Sequence, residues 1–235
     1  MPILKPFMCR LSRWLRFEPS SFYNEHDVIS DGLIMSIYTL KPQFQNLLRP
    51  LVRTLYAKNI TANQVTLLAC AISVLLGMML SVFAQIAWLF WLLPIWLFLR
   101  MALNAIDGML AREFQQQSAL GGYLNEITDV VADAALYLPF AFVAPFQGWQ
   151  IALLIWLATL TEFCGVLGQI HGKGRRYDGP IGKSDRAFLF GGLGLWYAWA
   201  QTLPTWLDDV MWLLMALLVV TCIRRVQQGL VKEVA

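Results

Sequence analysis

The chain has 235 residues, 58% of them hydrophobic and only 14% charged, with a formal net charge of +3. Together with a mean hydropathy of +0.56, this excludes an ordinary soluble domain and points to a chain held mostly inside a lipid bilayer. The mild charge gives no ground for nucleic-acid binding, and none is expected.

Residues 1–35 show no sustained period and are interrupted by Pro2, Pro6 and Pro19, which reads as a flexible tail. Leu11, Trp14 and Leu15 sit among Arg10, Arg13 and Arg16, a mixture suited to touching anionic lipid. The first twenty residues lack the uninterrupted apolar core of a signal peptide, and Met35 is an alternative start. Residues 36–61 form the next element. Phe44, Leu47, Leu48, Leu51 and Leu55 recur at helical spacing, with Lys41, Gln45, Arg49 and Arg53 on the other side. This pattern predicts an interfacial amphipathic helix with a kink at Pro50.

Six apolar stretches follow, near 62–84, 86–112, 118–144, 149–171, 185–203 and 206–224. Each approaches the roughly 20 residues that a helix needs to cross hydrocarbon. Thr61 is placed to cap the first. The third is the most polar, because Asn125, Glu126, Asp129 and Asp133 interrupt it. Residues 62–225 therefore read as one membrane domain. The expected fold class is an all-α membrane protein of six transmembrane helices preceded by an interfacial helix. Every Lys and Arg outside the spans falls on one side, which puts both termini of a multi-pass inner-membrane protein in the cytoplasm. Cys9, Cys70, Cys164 and Cys222 are far apart, with no C-x-x-C or Cys/His spacing, so neither a zinc site nor a disulfide framework is expected.

The second and third spans carry the chemistry. Ionisable groups inside a membrane are costly and are functional candidates. Asn104 and Asp107 are three residues apart and Asn125 and Asp129 four, so each pair shares a helix face. A short bend joins the two helices, making them antiparallel neighbours. Asp107 lies five residues before Arg112, about 7–8 Å along a helix, so the oxygens meet close to the cytoplasmic surface. Such a cluster suits a hard divalent cation of the Mg²⁺ type, completed by substrate phosphates. Gly108, Ala111, Gly121 and Gly122 leave space for a ligand, and Arg112 can reach a phosphate from the rim.

The run "NAIDGMLAREFQQQSALGGYLNEITD" resembles the motif of the CDP-alcohol phosphatidyltransferase family, D-x-x-D-G-x-x-A-R followed by G-x-x-x-D-x-x-x-D. Asp107, Gly108, Ala111, Arg112, Gly121 and Asp129 match in type and spacing, with eight residues between Arg112 and Gly121. "TANQVT" at the head of the first span is similar to the Asn and Thr of that family. The resemblance implies a membrane transferase, a homodimer, that moves a phosphatidyl group from a CDP-alcohol such as CDP-diacylglycerol to an acceptor alcohol and releases CMP. It implies Mg²⁺ or Mn²⁺ as cofactor, with Asn104, Asp107, Asn125 and Asp129 as ligand positions and Asp129 as the general base. Gly108, Ala111, Arg112, Gly121, Lys183 and Arg186 would bind the nucleotide or phosphate. Two positions depart from the family: Asn104 and Asn125 stand where it has aspartates. One metal in place of two, rescue by Asp133 or Glu126, or a degenerate member that acts as a membrane binding or scaffold protein all follow from that loss. Asp133, one turn beyond Asp129, is the nearer rescuer and is counted as a metal ligand.

Among the remaining features, Lys183 and Arg186 read as pocket residues, and Arg175 and Arg176 as lipid-facing anchors. Arg100 and Glu162 are expected to pair across the second and fourth spans. His26 and His171 read as surface residues, and Trp88, Trp149 and Trp206 as an interfacial belt. The acceptor alcohol is not named by any motif, although the basic residues lean towards an anionic one.

Overall fold

A computed structural model gives the architecture and describes residues 34–172 and 174–230, with side chains from residue 43 onward. The expectations for residues 1–33, including Cys9 and His26, lie outside the described residues. No strand occurs among those described, and the elements are all helical. They are α1 (Ile34–Ala57), α2 (Ala62–Val82), α3 (Leu92–Glu113), α4 (Ala119–Tyr137), α5 (Gly148–Ile170), α6 (Lys183–Ala200) and α7 (Leu207–Gly229). Short 3₁₀ turns, Ala87–Trp91 and Leu138–Phe142, precede α3 and extend α4.

Local chemistry sets several of these boundaries. Thr61 has extended backbone and caps α2, its hydroxyl accepting from the Gln64 amide while the Gln64 side chain returns to the Thr61 amide. Ser118 caps α4 by accepting from the Gly121 amide at 2.9 Å. The Gln116 side chain accepts from the Ala62 amide at 2.7 Å, tying the α3–α4 bend to the start of α2. α1 continues as one helix through Pro50. Its inner face differs from the predicted stripe. Val52 is fully buried and Leu48 and Leu55 pack beside it, whereas Leu47 and Leu51 are exposed.

α2 packs on both α3 and α4, α5 on α7, and α6 on α3 and the turn before it. The α2–α4 contact depends on Gly77, where a Cβ would collide with the Ala135 carbonyl. Small residues allow this close approach where lipid supplies no hydrophobic drive. One end of the bundle is filled by aromatics, with Tyr137 stacked on Phe190 at 4.0 Å and Phe90 edge-on to Tyr197 at 4.9 Å. Apart from Asp208 and Asp209 at the start of α7, the buried and paired charges described here gather at the other end. A second apolar cluster there, built from Val52, Ala62, Val65, Ile106, Met109 and Leu110, joins α1 to α2 and α3.

Three helical segments are long and apolar enough to cross a membrane: Ala62–Val82, Ala87–Glu113 and Gly148–Ile170. α4, α6 and α7 carry the charges that interrupt their hydropathy, and several of these are buried inside the bundle: Asp133, Arg186 and Arg225. Large apolar side chains cover the outside, among them Phe188, Trp199 and Val82, each at least 75% exposed. An apolar exterior around a charged interior is the arrangement a bilayer demands.

Candidate active site

Asp107 lies near the C-terminal end of α3 and is 7% exposed. Thr66, in the second turn of α2, donates its hydroxyl to Asp107 Oδ2 at 2.7 Å. The "TANQVT" run thus supplies both a cap, Thr61, and the group that orients Asp107. Asn63 of the same run lies against Gly121, where a Cβ would come within 2.9 Å of its amide oxygen. Gly108 has a related purpose: a Cβ there would sit 3.1 Å from the Arg112 guanidinium, which folds back over the gap.

Asp129 faces this group from α4. Its Oδ1 accepts from Arg100 Nη2 at 3.2 Å, from the Asn104 amide at 3.4 Å and from the Lys183 ammonium. All three contacts fall on one oxygen, leaving Oδ2 without a partner among the described residues. Asp107 is within electrostatic reach of both Asp129 and Lys183. Asn104, Asp107, Asp129 and Lys183 are thereby brought to one place by α3, α4 and the first turn of α6.

Asp133 is placed differently. One oxygen takes Arg100 Nη1 at 2.5 Å and the other takes Arg186 Nη2 at 3.3 Å. Behind it, Glu162 on α5 accepts from Arg186 at 2.9 Å and from Arg175 at 2.8 Å, and faces Arg225 at 3.5 Å. Arg175 also reaches Glu126 at 2.6 Å. Five helices and a loop are tied together by this chain of alternating charges, nearly all of it enclosed. Each partner offsets the desolvation of the next.

Two expectations are corrected here. Arg100 and Glu162 do not pair with each other: Arg100 pairs with Asp129 and Asp133, and Glu162 with three arginines. The α4 carboxylates meet Arg100 first, and the arginines of the loop, α6 and α7 claim Glu162. Arg175 is no lipid-facing anchor, since it points inward with 14% of its side chain exposed, while Arg176 pairs with Asp178 at 2.9 Å. Sequence reasoning also missed Thr66 as the partner of Asp107, and Arg225. Arg225 lies four residues after Thr221 and three after Cys222, both buried, so its helical phase was the available signal.

Among the described residues, no three Asp, Glu, His or Cys side chains form a metal-ligand cluster. Asp107 and Asp129, with the amide oxygens of Asn104 and Asn125 beside them in the sequence register, still match the donor chemistry of a Mg²⁺-type ion that draws its other oxygens from phosphate and water.

Comparison with known proteins identifies the family. The family model for CDP-alcohol phosphatidyltransferase matches residues 59–224. The inner membrane protein YnbA of Escherichia coli is 48% identical over 194 residues, covering 81% of this chain and 94% of YnbA. Phosphatidylinositol phosphate synthase PgsA1 of Mycobacterium tuberculosis, solved with manganese and citrate, superposes with a TM-score of 0.64 at 20% identity, covering 79% of this chain and 92% of that one. The same enzyme solved with CDP-DAG superposes with a TM-score of 0.63 at 20% identity, covering 79% and 97%. The fold is shared with those structures, and the matched residues include Asp107 and Asp129. This chain is a member of the CDP-alcohol phosphatidyltransferase family.

Proposed function

We propose that the protein transfers a phosphatidyl group from CDP-diacylglycerol to an acceptor alcohol, using one divalent cation, Mg²⁺ or Mn²⁺. The observation that carries this reading is the convergence of Thr66-oriented Asp107 with Asp129 at the end of the bundle where the family motif lies. The family supports the reaction, and the manganese and CDP-DAG seen with PgsA1 support the cofactor and donor. A bound cation would neutralise the diphosphate and stabilise the departing CMP.

Asp107, with Asn104 and Asn125, would hold the cation, and Asp129 would share in binding it. Asp129 Oδ2 is the atom placed to take the proton of the acceptor hydroxyl. The hydroxyl oxygen then bonds to the phosphorus that carries the diacylglycerol. The bond from that phosphorus to CMP breaks, and CMP leaves with the electron pair. Lys183 and Arg100 keep Asp129 in position from the opposite side. Asp133 has both oxygens committed to Arg100 and Arg186, and Glu126 is engaged by Arg175. These pairings favour a single cation over rescue of a second site. Gly108 makes room for Arg112, and Arg112 with Ala111 and Gly121 would line the nucleotide side. We read all six of α2–α7 as membrane-spanning, with both termini cytoplasmic, from the one-sided Lys and Arg distribution.

The test is CMP release by purified protein in detergent, with CDP-diacylglycerol, Mg²⁺ or Mn²⁺ and a panel of alcohols. Release that needs metal and alcohol and is lost in Asp107→Asn and Asp129→Asn supports the transferase. Retained donor binding with no release for any alcohol supports the second reading, a member that binds without turnover, for which Asn104 and Asn125 are the motivating observation.

A further inference from the structure

A phosphorylated acceptor needs cationic side chains whose donors are open to it. The basic loop before α6 and the first turn of α6 are where the sequence concentrates such groups. Among the described residues there and on neighbouring α7, Arg175, Arg176, Lys183, Arg186 and Arg225 are each already paired. Arg175 gives Nη1 to Glu126 and Nη2 to Glu162. Arg186 gives Nη2 to Glu162 and Asp133 and Nη1 to the Thr161 hydroxyl. Arg225 gives Nη1 to the Thr161 carbonyl at 2.5 Å and Nε to the Asp178 carbonyl at 3.3 Å. Lys183 is held by Asp129.

Glu162 is the centre of this arrangement. Arginines from the loop, from α6 and from α7 converge on one carboxylate that is 7% exposed. Without it, three guanidiniums would face one another in an enclosed space, the layout that captures a phosphate. With it, and with Glu126 and Asp133, each of the three guanidiniums has a carboxylate partner. The Tyr137 hydroxyl is buried without a partner, and so are two guanidinium nitrogens, Nε of Arg175 and Nε of Arg186. Each is a single N–H on a guanidinium whose fork is engaged elsewhere. Arg186 borders a pocket of about 10 Å³ beside Asp133, Tyr137 and Glu162. That is room for about one water and none for a phosphate. Towards the opening, Glu126 is 29% exposed with only one oxygen used by Arg175, a surface suited to hydroxyl or ammonium groups.

We propose that the acceptor is an alcohol without a phosphate, uncharged or amine-bearing, because Glu162 and Glu126 neutralise the arginines that would otherwise bind one. This replaces the lean towards an anionic acceptor drawn from the sequence, and it rests on the phosphatidyl-transfer reading above. The experiment uses matched pairs on one carbon skeleton: glycerol with glycerol 3-phosphate, inositol with inositol monophosphate, and ethanolamine with phosphoethanolamine. CMP release is measured for each. Separately, binding of inorganic phosphate to wild type, Glu162→Gln and Glu126→Gln is followed by calorimetry. The expected result is faster release with the unphosphorylated member of a pair. Phosphate binding should be weak in wild type and tighter by about tenfold or more in Glu162→Gln, since charge-assisted hydrogen bonds are freed. Faster release with a phosphorylated member, or wild-type phosphate binding as tight as that of both variants, overturns the proposal. If no acceptor supports release, the transfer reading fails, and the phosphate comparison still decides whether the arginine cluster is neutralised. Glu126→Gln, at the opening, serves if Glu162→Gln does not fold.

Discussion

The Thr66 hydroxyl on α2 donates to Asp107 Oδ2 on α3 at 2.7 Å, and both residues are more than nine-tenths buried. This bond fixes one oxygen of the carboxylate and leaves the other for the site. Thr66→Val removes the donor and keeps the shape. Hydrogen bonds to charged groups contribute about 1.5–3 kcal/mol, so CMP release should fall by about tenfold or more. Thr66→Ser should retain most of it. Steady-state rates for the two variants, at matched folded fraction, check this.

Arg100 spans two carboxylates, Nη1 on Asp133 and Nη2 on Asp129. Arg100→Met leaves both without that partner in an enclosed setting. Breaking such a buried pair costs about 3–5 kcal/mol, so thermal unfolding in detergent should begin well below that of wild type. Arg100→Lys keeps the charge and loses the fork, and should fall between the two. Equal unfolding temperatures for all three would show that the network adds no stability.

Asn104 donates its amide to Asp129 Oδ1 at 3.4 Å. Asn104→Asp turns that donor into a second carboxylate facing the first, and like charges held together repel. The variant should be less stable than wild type in chelator and gain more stability than wild type on addition of Mn²⁺, by mass action on the folded state. Unfolding temperature against Mn²⁺ concentration gives the comparison. Identical curves would place Asn104 away from any cation.

Gly77 touches the Ala135 carbonyl with no room for a side chain. Gly77→Leu must push α2 from α4, and overpacking of this kind costs about 1–3 kcal/mol. The change should lower the unfolding temperature, whereas the same substitution at Gly192, which has open space around it, should not.

Much of the fold was legible because hydropathy and capping are local. The stretch 149–171 matches α5 at Gly148–Ile170, and 62–84 matches α2 at Ala62–Val82, with Thr61 as its cap. The paired polar residues of α3 and α4 were legible too, since helical spacing alone puts Asn104 with Asp107 and Asn125 with Asp129. The partners of the buried charges were not. Which arginine meets Glu162 depends on how α5, α6, α7 and the loop at 174–182 pack, and no short-range pattern encodes that. Arg100 was matched to the wrong carboxylate for this reason. The role of Thr66 was hidden likewise, because a threonine near a helix start first reads as a cap.

Phosphatidyl transfer to an alcohol by Asp107 and Asp129, as proposed, would yield CMP and a new lipid together. Its most direct test is the stoichiometry of CMP and product lipid, measured by mass spectrometry, for wild-type protein given CDP-diacylglycerol, Mn²⁺ and an unphosphorylated alcohol. Equal amounts of CMP and the phosphatidyl-alcohol are expected, both abolished by chelator and by Asp129→Asn. CMP without the new lipid, or equal product from Asp129→Asn, would contradict it.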